Sequence, residues 1–424
     1  MFKQCTLGLI VTLLTTLLSQ ASEIQKTSLS QGMHAKQQAL QFAKDEQFLK
    51  AAQAYERAAD VGLNRNYALW KAVNFYIKAE QPDLALPVFE KLARNGEKQH
   101  QYMQSLMDQY NEQQRQQLDS IIDMIKKNAE TTASSTDSSS QIIVEDVDRF
   151  FSVFDKTENL PLDQQIALYE KHYFDQASPG MIDYASFKIE SIEAFVKHVE
   201  KARPYYREVQ KATIKLNSMK PRVIETMAAM QAYVPDAQPP NIYFIVGMHT
   251  SGGTASENGL LMGADFITDS SEHLDLIPGW TQPFLSSAED KLWVIMHEYV
   301  HFLQNTSHNT VLGNALVEGG ADFIANLLYG KPKKTSLYTT FGQQHESRIK
   351  KRFMENLDST DISLWTGNNG DEFEDKWVPD LGYFIGHQIA QGYYQNASDK
   401  KQAIIDLLEL KDPKKILQLS QYAN

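Results

Sequence analysis

The period of hydrophobic and polar positions changes several times along this chain, and each change marks a different element. From about Gly32 to Gly96 apolar residues recur at helical spacing, and the pattern repeats with a shift of 34 residues: Phe42 pairs with Tyr76, Ala51 with Ala85, Tyr55 with Phe89, Ala59 with Ala93 and Gly62 with Gly96. Small residues sit where two helices would touch, with an aromatic one turn on. The stretch "EKQHQYMQSLMDQYNEQQRQQLDSIIDMIKK" predicts one more helix. Residues 128–141, "NAETTASSTDSSSQ", offer almost nothing to bury and read as a Ser/Thr-rich linker and domain boundary. Helical periodicity returns from Ile142 to about Val234, with the paired Tyr205 and Tyr206 placed as core or interface residues. Then the period drops to that of a sheet. Asn241 to Gly247 and Gly259 to Phe266 predict two strands, and the Gly/Ser/Thr-rich segment between them a long hairpin loop. That segment is no phosphate cradle, because a strand and not a helix N-terminus follows it. Helical patterns resume at Ser286 and continue to the end except through "TGNNGDEFEDKWVPD".

A period of 34 is that of tetratricopeptide-type helical repeats, so residues 32–127 predict a short α-solenoid, a module that characteristically binds a protein partner. Only two units are visible, which leaves a packing module or stalk as an equal alternative. The opening residues, "MFKQCTLGLIVTLLTTLLSQASEIQ", place a basic Lys3 before an apolar run from Leu7 to Leu18 and a small-x-small site at Ser19–Ala21. This layout predicts a signal peptide over residues 1–21, too short for a comfortable membrane span, and a secreted, periplasmic protein with no stable span after cleavage. The single cysteine, Cys5, precedes the apolar run and is not placed like a lipidated cysteine. At 424 residues the chain is long enough for two or three domains without disulfides. Its net charge of -12 argues against general binding to nucleic acid or to an anionic membrane surface.

The candidate chemistry lies in "SSAEDKLWVIMHEYVHFLQN". Ser286 and Glu289 form a capping-box pattern ahead of an apolar helix. His297 and His301, four apart, fall on one face and can chelate one ion, while Glu298 is placed as the general base of an HExxH zinc signature. A third histidine at metzincin spacing is absent: Gln304 and Ser307 occupy the diagnostic positions, and His308 is out of phase. The next helical segment, "NALVEGGADFIANLLYG", offers Glu318 as third metal ligand, with Asp322 one turn on to accept the free N–H of a ligating histidine. Its apolar neighbours indicate burial, and buried carboxylates need partners.

HExxH followed by ExxxD resembles the gluzincin (thermolysin-like) zinc peptidases. More closely, residues 142–424 resemble a family of bacterial secreted proteins described as predicted zinc-dependent proteases, through "NIYFIVG", "SGGTASENGLLMGAD", "HEYVHFLQ", "VEGGADFI" and "DLGYFIGHQIA" in that order. The resemblance implies a mainly helical α+β metallopeptidase domain holding one Zn2+, with a peptide or protein substrate and Glu298 activating a zinc-bound water. It implies that the strand containing Gly259, Leu260, Leu261, Met262 and Gly263 is an edge that pairs with the extended substrate. The motif that grips a free substrate N-terminus is absent, which favours an endopeptidase. Tyr383 or His387, on a helix opening near Asp380, would stabilise the oxyanion. His249, His273 and His345 are further candidates and are otherwise surface or loop residues.

Two other readings share these residues. One is a non-catalytic interaction protein whose C-terminal domain keeps a structural or vestigial zinc site. The other is a zinc hydrolase of a non-peptide amide.

Overall fold

The structure, a computed structural model, describes residues 27–131, 140–304, 308–330, 336–366 and 378–423. The expected signal peptide, most of the expected linker and most of the "TGNNGDEFEDKWVPD" loop lie outside the described residues. The chain divides into two compact units at Ser135/Thr136.

The first unit is helical: α1 (Leu29–Lys44), α2 (Phe48–Val61), α3 (Arg65–Lys78), α4 (Leu86–Arg94), the short α5 (Gln101–Ser105) and α6 (Glu112–Thr131). Its helices approach closely because alanines line the contacts, with Ala51, Ala52, Ala54, Ala58, Ala68 and Ala72 all fully buried. The 34-residue shift reappears in the backbone: Glu46 and Glu80 both end a helix with positive φ, as do Gly62 and Gly96.

The second unit is α+β. It begins with β1 (Ile142–Ile143) and the helices α7 (Glu145–Phe154), α8 (Leu162–His172), α9 (Pro179–Lys188), α10 (Ile192–Lys201), α11 (Arg203–Thr213) and α12 (Leu216–Ala228). Three strands follow, β2 (Ile242–Ile245), β3 (Gly253–Ser256) and β4 (Gly259–Gly263), and then α13 (Lys291–Leu303), α14 (Val311–Tyr329), α15 (Leu337–Met354), α16 (Leu381–Asn396), α17 (Lys400–Glu409) and α18 (Pro413–Ser420). An aromatic cluster of Phe150, Tyr169, Tyr173, Phe195 and Tyr206 fills the space among α7, α8, α10 and α11. Among the described residues no helix is long and apolar enough to cross a membrane.

The sheet order is β1-β2-β4-β3, which corrects two expectations. The strands at 241–247 and 259–266 do not form a hairpin; β2 and β4 run parallel, Ile242 opposite Leu260. The hairpin is instead β3 with β4, antiparallel, so the expected loop supplies a strand and the sheet's edge. The reason is burial. Gly259, Leu260, Leu261, Met262 and Gly263 are buried throughout and take the interior position, whereas the small polar Gly253–Ser256 stretch stays half exposed. Gly259 is required at the turn: its φ is +135°, and a Cβ there would lie 2.2 Å from the Asn241 carbonyl oxygen.

The capping box also fails. Ser286 is drawn into a bridge with Ile267, donating its N–H to Phe266 O. The turn before α13 is made by Ser287, whose Oγ accepts from the Asp290 N–H, and the helix starts at Lys291.

Candidate metal centre

Four spatial neighbours build the site: β3, α13, α14 and α16. The α14–α16 contact is close because it is made by glycines. A Cβ on Gly386 would sit 1.7 Å from Ala315 O, and one on Gly319 would sit 2.2 Å from the His387 N. That crossing fixes the register of the two helices, so Tyr383, one turn before Gly386, comes to Glu318, one residue before Gly319.

His297 and His301 lie on one face of α13 with their Nε2 atoms 3.0 Å apart. Glu318 Oε2 from α14 is 3.1 Å from His301 Nε2 and 3.5 Å from His297 Nε2. Among the described residues these three form the cluster able to hold a metal ion. In a tetrahedral site with bonds of about 2.0–2.1 Å, neighbouring ligand atoms would be roughly 3.3–3.4 Å apart, so the observed spacings fit such a cage.

The outer nitrogens of both rings face groups outside the cluster. His297 Nδ1 is 2.9 Å from Asp322 Oδ1, and Asp322 Oδ2 in turn accepts from the Tyr338 hydroxyl of α15 at 2.7 Å. His301 Nδ1 is 2.7 Å from Gln304 Oε1; because the Gln304 amide donates to Val317 O, its oxygen is the acceptor and His301 carries its proton on Nδ1. Both Nε2 atoms turn inward, toward each other and toward the Glu318 carboxylate, where a proton or a cation between them relieves their mutual repulsion.

The proton affinities record the same arrangement. Burial opposes charge on His297, but Asp322 and Glu318 outweigh it and push the imidazole up to about 10. Burial likewise opposes charge on His301, and Glu318 raises it. Burial raises the Glu318 carboxyl, yet His301 and His297 overcome this and hold it below its usual range.

Glu298 is 9 % exposed and lies beneath β3, where a Cβ on Gly253 would be 2.7 Å from its Oε1. Among the described residues no hydrogen bond reaches its carboxylate, although its charge is felt by both histidines and by Lys291. Lys291, buried on the same helix, donates to Gly252 O at 2.6 Å and ties the start of β3 to α13. Burial lowers this ammonium to about 8, against the pull of Asp265 and Glu298. Tyrosine hydroxyls hold the preceding loop: Tyr173 donates to Val246 O, Tyr206 to Gly247 O and Tyr184 to Ser251 O, while Tyr205 donates to Asp265 O. The Tyr205–Tyr206 pair is thus core, and through the loop it positions β3.

Of the two expected oxyanion donors, the structure brings only Tyr383 to the site. Its ring stacks on His297 with centroids 6.1 Å apart, and its buried hydroxyl is raised well above the usual range by burial and by Glu318, with which it shares a hydrogen bond. His387 points elsewhere, its Nε2 3.0 Å from the Asn326 amide, whose oxygen accepts from Trp293 Nε1. One helical turn separates the two positions, and the helix crossing admits only one of them. His249 is buried, not superficial, with its ring Nδ1 2.9 Å from His198 Nε2 and its backbone N–H donating to Asp265 Oδ2. His273 and His345 are exposed and apart from the metal cluster. Sequence reasoning missed Gln304, Tyr338, Trp293 and Lys291. Gln304, three residues after His301 at the helix end, carried a usable signal; Tyr338 carried none, since its pairing with Asp322 exists only in three dimensions.

The fold and site define a mainly helical α+β protein with a buried His2Glu cluster that could hold a metal ion. Residues 141–424 match the model of a family described as gliding motility protein GldB, and as this match covers most of the chain, the chain belongs to that family. No curated protein and no solved structure matches it. Membership corrects the resemblance to zinc-dependent proteases: the family is one of gliding motility proteins, and the metallopeptidase reading falls with it, including the hydrolase and endopeptidase activity and the peptide substrate. The tetratricopeptide part of the resemblance receives no support from the match, which starts after the N-terminal helices. The physical reason for the error is that HExxH and a downstream carboxylate specify at most a cluster of potential metal ligands on two helices, and such a cluster does not specify a reaction. The family's model is labelled as one of lipoproteins, in keeping with an envelope-associated location.

Proposed function

We propose that this chain is an envelope protein of gliding motility, on the periplasmic side, whose C-terminal unit is a zinc-binding domain and whose N-terminal helices dock a protein partner. His297, His301 and Glu318 would hold the ion, and Asp322 and Gln304 fix the two rings. The observation that carries the reading is the convergence of two Nε2 atoms and a carboxylate oxygen within 3.5 Å while the Nδ1 atoms face Asp322 and Gln304 outside the cluster. Two imidazoles and a carboxylate suit zinc among the divalent ions. When bound, the ion supplies a cross-link between α13 and α14 and neutralises the inward-facing donors. The partner reading for residues 32–127 rests on the repeated turns at Glu46/Glu80 and Gly62/Gly96, a regularity typical of helical modules that present a continuous binding face.

Metal content measured by mass spectrometry on the purified protein tests the reading. Wild type is expected to carry about one equivalent of zinc, as a single cage requires. His301→Ala is expected to lose it, and Glu298→Gln to keep it. Chelation should lower the melting temperature of wild type and leave that of His301→Ala unchanged, because an ion that binds only the folded state stabilises by mass action. Metal-free wild type that cannot be loaded would end the proposal.

A further inference from the structure

Resting on the metal reading above, we propose that Trp293, Asn326 and His387 are positioning residues for the ion, and that they act through the ring plane of His297. The observation is a ladder of side-chain pairs between α13 and α14. His301 faces Glu318 at 3.1 Å, His297 faces Asp322 at 2.9 Å, and Trp293 faces Asn326 at 2.7 Å. Each step of four residues back along α13 is met by a step of four forward along α14, so the three pairs share one seam. The first two rungs belong to the metal cluster. The third contains no metal ligand, yet it is built on the same face and with the same spacing.

The indole fixes the chemistry of that rung. Trp Nε1 is a donor only, so Asn326 presents Oδ1 to it, and the Asn326 NH2 then points to His387 Nε2, 3.0 Å away. His387 therefore accepts at Nε2. Without that acceptor the amide could turn over, and its NH2 would meet the indole N–H donor to donor. His387 of α16 stands behind Asn326 as Tyr338 of α15 stands behind Asp322.

The consequence falls on His297. An imidazole donates in the plane of its ring, so a metal site needs that plane held as well as the tautomer. The contact between His297 Nδ1 and Asp322 alone leaves the ring free to rock about one line. Trp293, one turn earlier and buried, stacks on His297 with ring centroids 5.5 Å and planes 28° apart, and this flat surface opposes the motion. The indole can do so only while its own rotamer is locked, and the bond to Asn326 is the lock.

Zinc affinity of the full chain, measured by competition against a chromophoric chelator, tests the proposal. The measurement is made well below the melting temperature of each metal-free protein, so that it reads the site and not stability. His387→Leu and Asn326→Leu are expected to weaken binding by about tenfold, the lower end of what the outer partners of a metal ligand contribute. His387→Gln, whose side-chain oxygen can accept from Asn326, should restore wild-type affinity. Trp293→Phe keeps a ring but not the N–H and should weaken binding as the leucine variants do, and adding His387→Leu to it should cost nothing further, because the two act in one chain. Wild-type affinity in His387→Leu and Asn326→Leu would overturn the inference and leave the metal site standing. So would a His387→Gln as weak as His387→Leu, or losses in His387→Leu and Trp293→Phe that simply add. A wild type that takes up no zinc would remove the metal reading and this inference together. If Asn326→Leu does not fold, the His387 variants and Trp293→Phe decide.

Discussion

At the residue scale, the site is decided by where two protons sit. Asp322 lies 2.9 Å from His297 Nδ1 and Gln304 2.7 Å from His301 Nδ1, so protons placed there would leave both Nε2 atoms free to donate to an ion, as the proposal requires. Asp322→Asn and Gln304→Ala are each expected to weaken zinc binding by about 10–100-fold while leaving the three ligands in place, measured by competition against a chromophoric chelator. Affinities unchanged in both would mean that the outer partners do not set the tautomers. Four-residue spacing put His297 and His301 on one face and helical phase put Glu318 and Asp322 on another, and the structure brings the four together. Choosing between Tyr383 and His387 was beyond the sequence, because both face inward on α16 and only the neighbouring helix distinguishes them.

At the element scale, two glycines set the geometry that brings α16 to the His2Glu cluster. Gly319 and Gly386 let α14 and α16 touch backbone to backbone, and this crossing places Tyr383 against Glu318. Gly386→Ala is expected to destabilise the C-terminal unit by about 1–3 kcal/mol, the usual cost of overpacking, and to weaken zinc binding with it. Gly320→Ala is the control. Nothing lies within 4 Å of a Cβ there, so the change should be neutral or stabilise by up to about 1 kcal/mol through helix propensity. Urea denaturation of the two variants beside wild type checks both. The helices themselves were legible from their period, whereas the strand order was not. "GTAS" has neither alternation nor β-branched enrichment, yet it forms the edge strand because β4 offers it a ladder and Lys291 pins its start. The capping pattern at Ser286 failed for a similar reason, as a bridge to Ile267 claimed that backbone first.

At the scale of the whole molecule, acid stability depends on a second polar cluster in the C-terminal unit, away from the metal ligands. His198 and His249 share a hydrogen bond in the core. Burial pushes His198 down to about 4 and His249 down to about 3, with Asp265 partly opposing this in each case and Lys201 adding to it at His198. The folded state thus stays neutral at both sites where the unfolded chain, with histidines near 6.5, takes up protons. Between about pH 6.5 and 4 the unfolded state binds more protons, so stability falls as pH drops through that window and is fully present above it. His198→Gln should flatten this dependence, losing less melting temperature than wild type between about pH 7 and 5 by calorimetry. Equal slopes would show that the acid response arises elsewhere.

The sequence by itself determined the helices, the 34-residue repetition of the N-terminal unit, the separation of two units near a Ser/Thr-rich stretch, and the spacing that makes a metal cage possible. These are local properties, set by side-chain period and by residues three or four positions apart on one helix. Tertiary structure alone decided that β3 is the edge, that Tyr383 and not His387 meets the site, that Tyr338 supports Asp322, and that Glu298 lies buried without a described donor. Each of those depends on which surfaces of distant segments come into contact, and no period along the chain encodes such a contact.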